Sequence, residues 1–331
     1  VLTLPRFVWA RPASLDQALA MLAEHGAGAL PVAGGTDAVP NLKHRLHEPN
    51  VVVHLGGLRE LRGVRDDAEG LHVGALVTLS ELNEHPAVRR DFPALARAAG
   101  LVAGPQLRNM GTVGGNLCLD TRCTYYNQTY LWREALGFCL KKDGVHCHVV
   151  PQGKRCVAAH SSDLAPMLIA LGAEVEIASA SGRRTLPVHD FFVGDGVHNN
   201  VLVPGELVTR VSLPAASRGL AAGYQKLRPR RAIDFPMLSV AFAARANGTV
   251  REARLVVSAL AAKPRVIGGI DKLLDGRALD DESARLVGEA AYAQCRPQTN
   301  VPYDTWWRHE MVPVFVRRAV RDAMRAGKEH A

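Results

Sequence analysis

Four of the chain's six cysteines, Cys123, Cys139, Cys147 and Cys156, fall in one stretch of 35 residues with the spacing C-x15-C-x7-C-x8-C. Four thiolates in one neighbourhood suggest a metal centre, and three readings stand side by side. A tetrahedral zinc site would take four sulfurs, with His146, His148 and His160 as spare ligands. Zinc ligands usually come as C-x2-4-C pairs, however, and no such pair occurs. An iron–sulfur cluster accepts widely spaced thiolates from loops. The third reading is packing without a ligand, the expectation for the isolated Cys118 and Cys295. A disulfide framework does not suit a chain of this size in a reducing compartment.

The same stretch, Arg122 to Cys156, has an unusual composition. It contains Tyr125, Tyr126, Tyr130, Trp132 and Phe138, and its six cations face only Glu134 and Asp143. Half of the chain's net charge of +8 therefore sits in about a tenth of its length. Such a shift marks an insertion with its own task.

Two glycine turns supply the second chemistry. Gly34-Gly35-Thr36-Asp37 follows a predicted strand, and Gly111-Thr112-Val113-Gly114-Gly115-Asn116 repeats the theme about 80 residues later. A phosphate needs close approach to backbone N–H groups, which a Cβ obstructs. Two such loops could grip the two phosphates of one dinucleotide, although each alone is equally a tight turn. Neither has the G-x-G-x-x-G pattern opening a helix, nor the glycine-lysine signature of a P-loop.

The elements that must position these groups follow a mixed order. Ser14 and Gln17 form an S-x-x-Q capping box ahead of a helix whose Leu15, Ala18, Leu19 and Leu22 share a face, and Gly26 stops it. Strands are expected at 29–33 and 50–55, making a small β-α-β unit. A strand at 71–76 and helices near 80–84 and 92–99 follow. Asp163 opens a helix to about Leu171, and strands are expected at 174–178 and before Pro214. Beyond about Gly219 come strands near 237–244 and 253–260, then helices near 265–274, 281–293 and 303–325.

At 331 residues, with 47% hydrophobic and 22% charged residues, the chain is an ordinary globular protein rather than a disordered one. No apolar run approaches a membrane span, and the start lacks a secretory pattern, so a cytoplasmic location is expected. The basic residues form no continuous stripe, and no nucleic-acid-binding signature is present.

The strings PVAGGTD (Pro31 to Asp37), MGTVGGN (Met110 to Asn116) and SSDLAP (Ser161 to Pro166) resemble the FAD-binding middle subunit of molybdenum hydroxylases, the xanthine dehydrogenase and carbon monoxide dehydrogenase family. The passage DTRCTYYNQTYLW…GFCLKKDGVHCHVV…KRC is similar to the cluster-bearing insertion of the 4-hydroxybenzoyl-CoA reductase β subunit. The resemblance implies an α+β architecture: a PCMH/vanillyl-alcohol-oxidase-type FAD-binding fold followed by a CO dehydrogenase flavoprotein C-terminal-type domain. Its expected divisions are 1–55, 56–217 with the insertion at about 120–160, and 218–331.

It also implies FAD and a [4Fe–4S] cluster held by Cys123, Cys139, Cys147 and Cys156. Pro31, Val32, Ala33, Gly34, Gly35, Thr36, Asp37 and Ala38 would wrap the FAD pyrophosphate, with Thr112, Gly114, Gly115 and Asn116 as the second loop. Asp163 would accept a hydrogen bond from the flavin nucleotide, Lys226 would lie near the isoalloxazine, and Val102 and Val208 would border it. The partners implied are a molybdopterin-binding large subunit, a [2Fe–2S] small subunit in a heterohexamer with two of each chain, and a ferredoxin-like redox partner docked on the basic insertion. The activity implied is electron transfer, with no catalytic residue of this chain's own. The electrons would drive reductive dehydroxylation of 4-hydroxybenzoyl-CoA or a related aromatic acyl-CoA. The alternatives are a hydroxylase of a heterocycle or aldehyde, and a stand-alone flavoprotein reductase with a structural zinc.

Overall fold

The computed structural model describes residues 2–329, arranged around three sheets. The first is parallel, with β1 (Val8–Ala10), β2 (Ala29–Val32) and β3 (Val51–His54) in the order β1-β3-β2. Helix α1 (Leu15–His25) packs its Leu15, Ala18, Leu19 and Leu22 face on this sheet. Ser14 accepts from the Gln17 amide at 3.2 Å, but the Gln17 side chain turns back to the Ala13 amide at 2.6 Å. The capping box is thus only half made. Gly26, at φ +50°, ends the helix. Strand β1 was not expected, being only three residues long, and neither was α2 (Ala38–Lys43).

The second sheet is antiparallel, in the order β4-β5-β8-β6-β7. Its strands are β4 (Val64–Asp66), β5 (Gly70–Gly74), β6 (Glu174–Ser179), β7 (Gly182–Pro187) and β8 (Leu207–Pro214). Between β5 and β6 run the short helices α3 (Leu79–Glu84), α4 (Pro86–Asp91), α5 (Pro93–Gly100), α6 (Pro105–Arg108), α7 (Val113–Leu117), α8 (Tyr130–Ala135) and α9 (Leu164–Ala170). Every residue of α9 is buried.

The third sheet, β12-β11-β10-β9, comprises β9 (Ala221–Leu227), β10 (Leu238–Asn247), β11 (Thr249–Ser258) and β12 (Arg265–Val266). One face joins the core that holds α5, α7 and α9, and the other is covered by α10 (Ile270–Leu274), α11 (Asp281–Gln294) and α12 (Thr305–Glu329). Being covered on both sides explains why β10 reads as the almost unbroken apolar run LSVAFAA. The helix expected near 265–274 is a two-residue strand followed by the shorter α10.

The insertion carries one short helix, α8, and otherwise follows irregular loops. Its neck is closed by a two-residue bridge: Arg122 and Ala159 exchange backbone hydrogen bonds of 2.8 and 2.7 Å. Buried Arg133 fastens it to the His44 and Arg45 carbonyls. Asn300 ties it to the C-terminal part through Thr124 and Val157. No helix among the described residues is long and apolar enough to cross a membrane.

Candidate functional site

Both glycine turns lead into short helices that the sequence reading did not foresee: Asp37 precedes α2, and Thr112 caps α7 by accepting from the Gly115 amide at 3.1 Å. The turns touch. A Cβ on Gly34 would stand 1.8 Å from the Met110 carbonyl oxygen, so only glycine lets the two loops meet. Gly35, at φ +71°, turns the chain where most side chains would be strained. Among the described residues, the amides of Gly34, Gly35 and Thr36 donate to no protein acceptor, which leaves an arc of N–H groups free for an anion.

This arc faces a cavity with about 1780 Å³ of space unfilled by protein atoms, its mouth included. All eight residues from Pro31 to Ala38 line it, as do Val102, Thr112, Gly115, Asn116 and Asp163. Gly114 does not line it but packs on Ala75, where a Cβ would come within 2.8 Å of that methyl. Val208 is also absent from the lining. It pairs with Ile177 in the second sheet and belongs to the core. Asn116 binds the second turn to α9, accepting from the Ser162 hydroxyl at 2.7 Å and the Leu164 amide at 3.2 Å.

Lys226 is no solvated surface lysine. Its side chain is 1% exposed, and its ammonium donates to Asp163 at 2.8 Å and to the Leu101 carbonyl at 3.2 Å. Tyr224 donates to the other Asp163 oxygen at 2.7 Å. Asp163, which lines the cavity, is thus held by two donors from β9, and burial together with that carboxylate pushes the Tyr224 phenol well up. Lys226 itself stands behind Asp163, outside the lining.

Sequence reasoning missed several lining residues. Arg122 lies in the cavity wall, paired with Asp37 and stacked over Phe235 at 4.4 Å. Ala103 and Ile233 line it with left-handed backbones, joined by an Ile233 amide to Ala103 carbonyl bond of 3.1 Å. Neither residue type signals such a conformation. Cys118 also faces the cavity, and burial pushes its thiol up to about 12, disfavouring the thiolate.

A second, smaller cavity has about 290 Å³ unfilled and is lined by all four insertion cysteines, each buried. Burial pushes the Cys123 and Cys156 thiols up to about 11, against peptide N–H groups of Tyr125, Tyr126 and Ala158 that favour the thiolate. Among the described residues no three of these sulfurs lie within 4.8 Å of one another. Four buried thiols on one cavity match the donor set of a tetrahedral zinc or of a four-iron cluster. Gly196 is required here: a Cβ on it would lie 2.6 Å from the Cys156 sulfur. His146, His148 and His160 are not drawn into a cluster with the thiols, and His148 instead bonds the Phe138 carbonyl at 2.6 Å.

The insertion's positive balance is largely internal. Arg133 (1% exposed) pairs with Asp143, Lys141 (5% exposed) with Asp120 at 2.6 Å, and Arg122 with Asp37. Of the six cations only Lys154 and Arg155 make no ion pair among the described residues, so the +4 is not a surface patch.

The amides of the second turn at Gly111 and Val113 to Asn116 are spent within the fold, contrary to the expectation that both loops grip a phosphate. A cavity of dinucleotide size, faced by the three free amides of the first glycine turn, defines a dinucleotide-binding protein. Comparison with known proteins agrees. A family described as the FAD-binding domain in molybdopterin dehydrogenase matches residues 5–216, and the CO dehydrogenase flavoprotein C-terminal domain matches 223–323. The chain is 29% identical to the carbon monoxide dehydrogenase medium chain of Hydrogenophaga pseudoflava over 96% of its length and 97% of that protein's. It is 32% identical to the aldehyde oxidoreductase FAD-binding subunit of Escherichia coli, over 84% of this chain and 87% of that one. The solved carbon monoxide dehydrogenase from Hydrogenophaga pseudoflava superposes with a TM-score of 0.79 at 26% identity, covering 98% of this chain and 99% of its own. The chain belongs to the FAD-binding medium-subunit family of the molybdenum hydroxylases, and FAD is its cofactor.

Proposed function

We propose that this chain is the electron-relay subunit of a molybdenum enzyme, carrying FAD in the large cavity and a [4Fe–4S] cluster in the thiol cavity. The observation that carries the reading is the convergence of four buried cysteines on one cavity, whose Cys123 follows Arg122 of the flavin-cavity wall in the chain. None of the matched descriptions names an iron–sulfur group, so the cluster rests on these thiols and on the resemblance of the insertion. When bound, the cluster passes single electrons and the flavin holds one or two, which couples a one-electron partner to a two-electron reaction elsewhere.

The chain's own residues hold these groups. The free amides of Gly34, Gly35 and Thr36 receive the pyrophosphate, Asp163 accepts from the flavin nucleotide, and Lys226 holds that carboxylate in place. The partners are a molybdopterin-binding large subunit and a [2Fe–2S] small subunit, two of each chain in the assembly, and the external donor is a ferredoxin-like protein. The substrate we assign to the complex is 4-hydroxybenzoyl-CoA or a related aromatic acyl-CoA, reductively dehydroxylated in the cytoplasm. A second reading, oxidation of an aldehyde or a heterocycle, is favoured by relatives named for glyceraldehyde and nicotine.

Anaerobically purified chain should contain about four irons, four sulfides and one FAD, with visible absorbance bleached by dithionite. Zinc without iron would sink the relay. Turnover of an aldehyde and not of an aromatic acyl-CoA by the assembled complex would select the second reading.

A further inference from the structure

We propose that Arg122 couples the two cavities, acting as a positioning residue through which the thiol cavity sets the affinity of the flavin cavity. The proposal rests on the FAD and cluster assignment above. At the neck of the insertion the chain is extended and paired with Ala159, so neighbouring side chains point to opposite sides. Cys123 lines the thiol cavity, and Arg122, its neighbour, lines the flavin cavity. The neck's other strand is anchored the same way, since Ala159 stands three residues after Cys156.

On the flavin side Arg122 is held from three directions. It pairs with Asp37, the last residue of the first glycine turn, and donates to the Asn41 Oδ1 at 3.3 Å. Its guanidinium lies over the Phe235 ring. Asn41 in turn donates to the second Asp37 oxygen at 2.9 Å, so the carboxylate is fixed at both ends. The Arg122 Nε is buried without a partner among the described residues.

The electrostatic logic concerns Asp37. The turn that offers amides to a diphosphate ends in a carboxylate, and a bare carboxylate there repels the ligand. Arg122 is the one Lys or Arg among the cavity-lining residues, and it cancels that charge. Ordering Cys123 around a cluster fixes the adjacent Arg122 backbone, which then holds Asp37 neutralised and the turn in its binding form. By linkage, FAD must favour the ordered thiol cavity to the same extent.

The test measures the FAD Kd of the full chain by flavin fluorescence, alongside iron and sulfide content. Three proteins are compared: wild type, R122Q, and the double variant R122Q/D37N. A charge-assisted pair of about 1.5–3 kcal/mol corresponds to a ten- to hundredfold effect. R122Q should weaken FAD binding at least tenfold, and R122Q/D37N should recover most of that loss, which a merely misfolded variant would not do. Chelating the iron from wild type should weaken FAD severalfold, and in R122Q that dependence should vanish. An unchanged FAD Kd in R122Q overturns the proposal, and so does equal iron dependence in wild type and R122Q. If wild type holds no iron, the cluster assignment fails by itself. The R122Q and double-variant Kd values are then read in the metal-free chain, where an unchanged Kd still overturns the role of Arg122 and the predicted loss and recovery still support it.

Discussion

At the flavin cavity a Cβ on Gly34 would stand 1.8 Å from a backbone oxygen, whereas at the thiol cavity a Cβ on Gly196 would stand 2.6 Å from the Cys156 sulfur. Both glycines are forced, but the two regions are built by opposite means. The flavin cavity presents mainly backbone: free amides on the first of two turns attached to regular elements, with Asn116 locking the second to the wholly buried α9. The thiol cavity presents side chains on irregular loops, held by long-range ties such as Arg133 to His44 and Asn300 to Val157. A backbone site tolerates side-chain change and fails when a Cβ intrudes. A side-chain site fails when its ligands change and leaves the surrounding fold largely intact.

The largest effect should therefore come from Gly34→Ala. The obstructing atom is a main-chain carbonyl, so the loops must separate, at a cost of about 3 kcal/mol or more. The variant should copurify without flavin and melt several degrees lower. Gly57→Ala, with no atom within 4 Å of the added carbon, is the control and should match wild type in flavin content. Flavin retained at wild-type stoichiometry in Gly34→Ala would break the backbone half of the comparison.

Lys226→Met comes next. It strands the Asp163 carboxylate, 3% exposed, with Tyr224 as its remaining side-chain donor. Breaking one partner of a buried pair costs about 3 kcal/mol at the low end of the usual range, where a second donor remains as here. Denaturant unfolding should register that loss, and Lys226→Met with Asp163→Asn should regain most of it because the amide oxygen still accepts from Tyr224. A loss below about 1 kcal/mol would mean that Asp163 finds another donor.

The sequence disclosed these regions unequally, and the reason is physical. The glycine turns were legible because their function depends on what the letters state directly, the absence of a Cβ. The cysteines were legible because no other residue type supplies a thiolate. Lys226 was recognised only by resemblance, since β9 carries it in the sequence AAGYQKL, where alanines and a glycine give no strand pattern. That glycine exists because α12 lies so close that a Cβ would meet the Ala319 oxygen at 2.0 Å. Arg122 was seen only as one of six cations. Its role depends on Asp37, 85 positions earlier, and charge counting cannot locate a partner that far away. The same blindness made the insertion look like a basic docking face.

Gly196→Ala sharpens the other half of the comparison. Its φ lies outside the left-handed region, so the cost is steric contact with the Cys156 sulfur and with Ala158 rather than backbone strain. Overpacking of this kind costs about 1–3 kcal/mol. Iron content should fall well below wild type, while flavin, although bound severalfold more weakly, still reaches about one per chain at saturating FAD. Equal loss of both groups would show that the thiol cavity cannot be perturbed alone.

The smallest effect lies between the regions, at His160. This residue follows the neck and precedes Asp163, is wholly buried, and has one ring nitrogen bonded to Ser258 at 3.0 Å and the other without a partner among the described residues. Burial pushes its pKa down to about 3, against an ordinary 6.5. Between those values the unfolded chain binds a proton at this site and the folded chain does not, so stability falls as the pH drops below 6.5. From pH 7 to 5.5 the loss from this one group is about 1 kcal/mol. His160→Gln keeps a hydrogen-bonding side chain but cannot titrate. Its unfolding free energy should fall less than that of wild type over this interval, by about the same 1 kcal/mol, whatever the carboxylates contribute to both. Parallel pH profiles would mean that the folded protein takes up the proton at His160, which requires water or an acceptor at the second ring nitrogen.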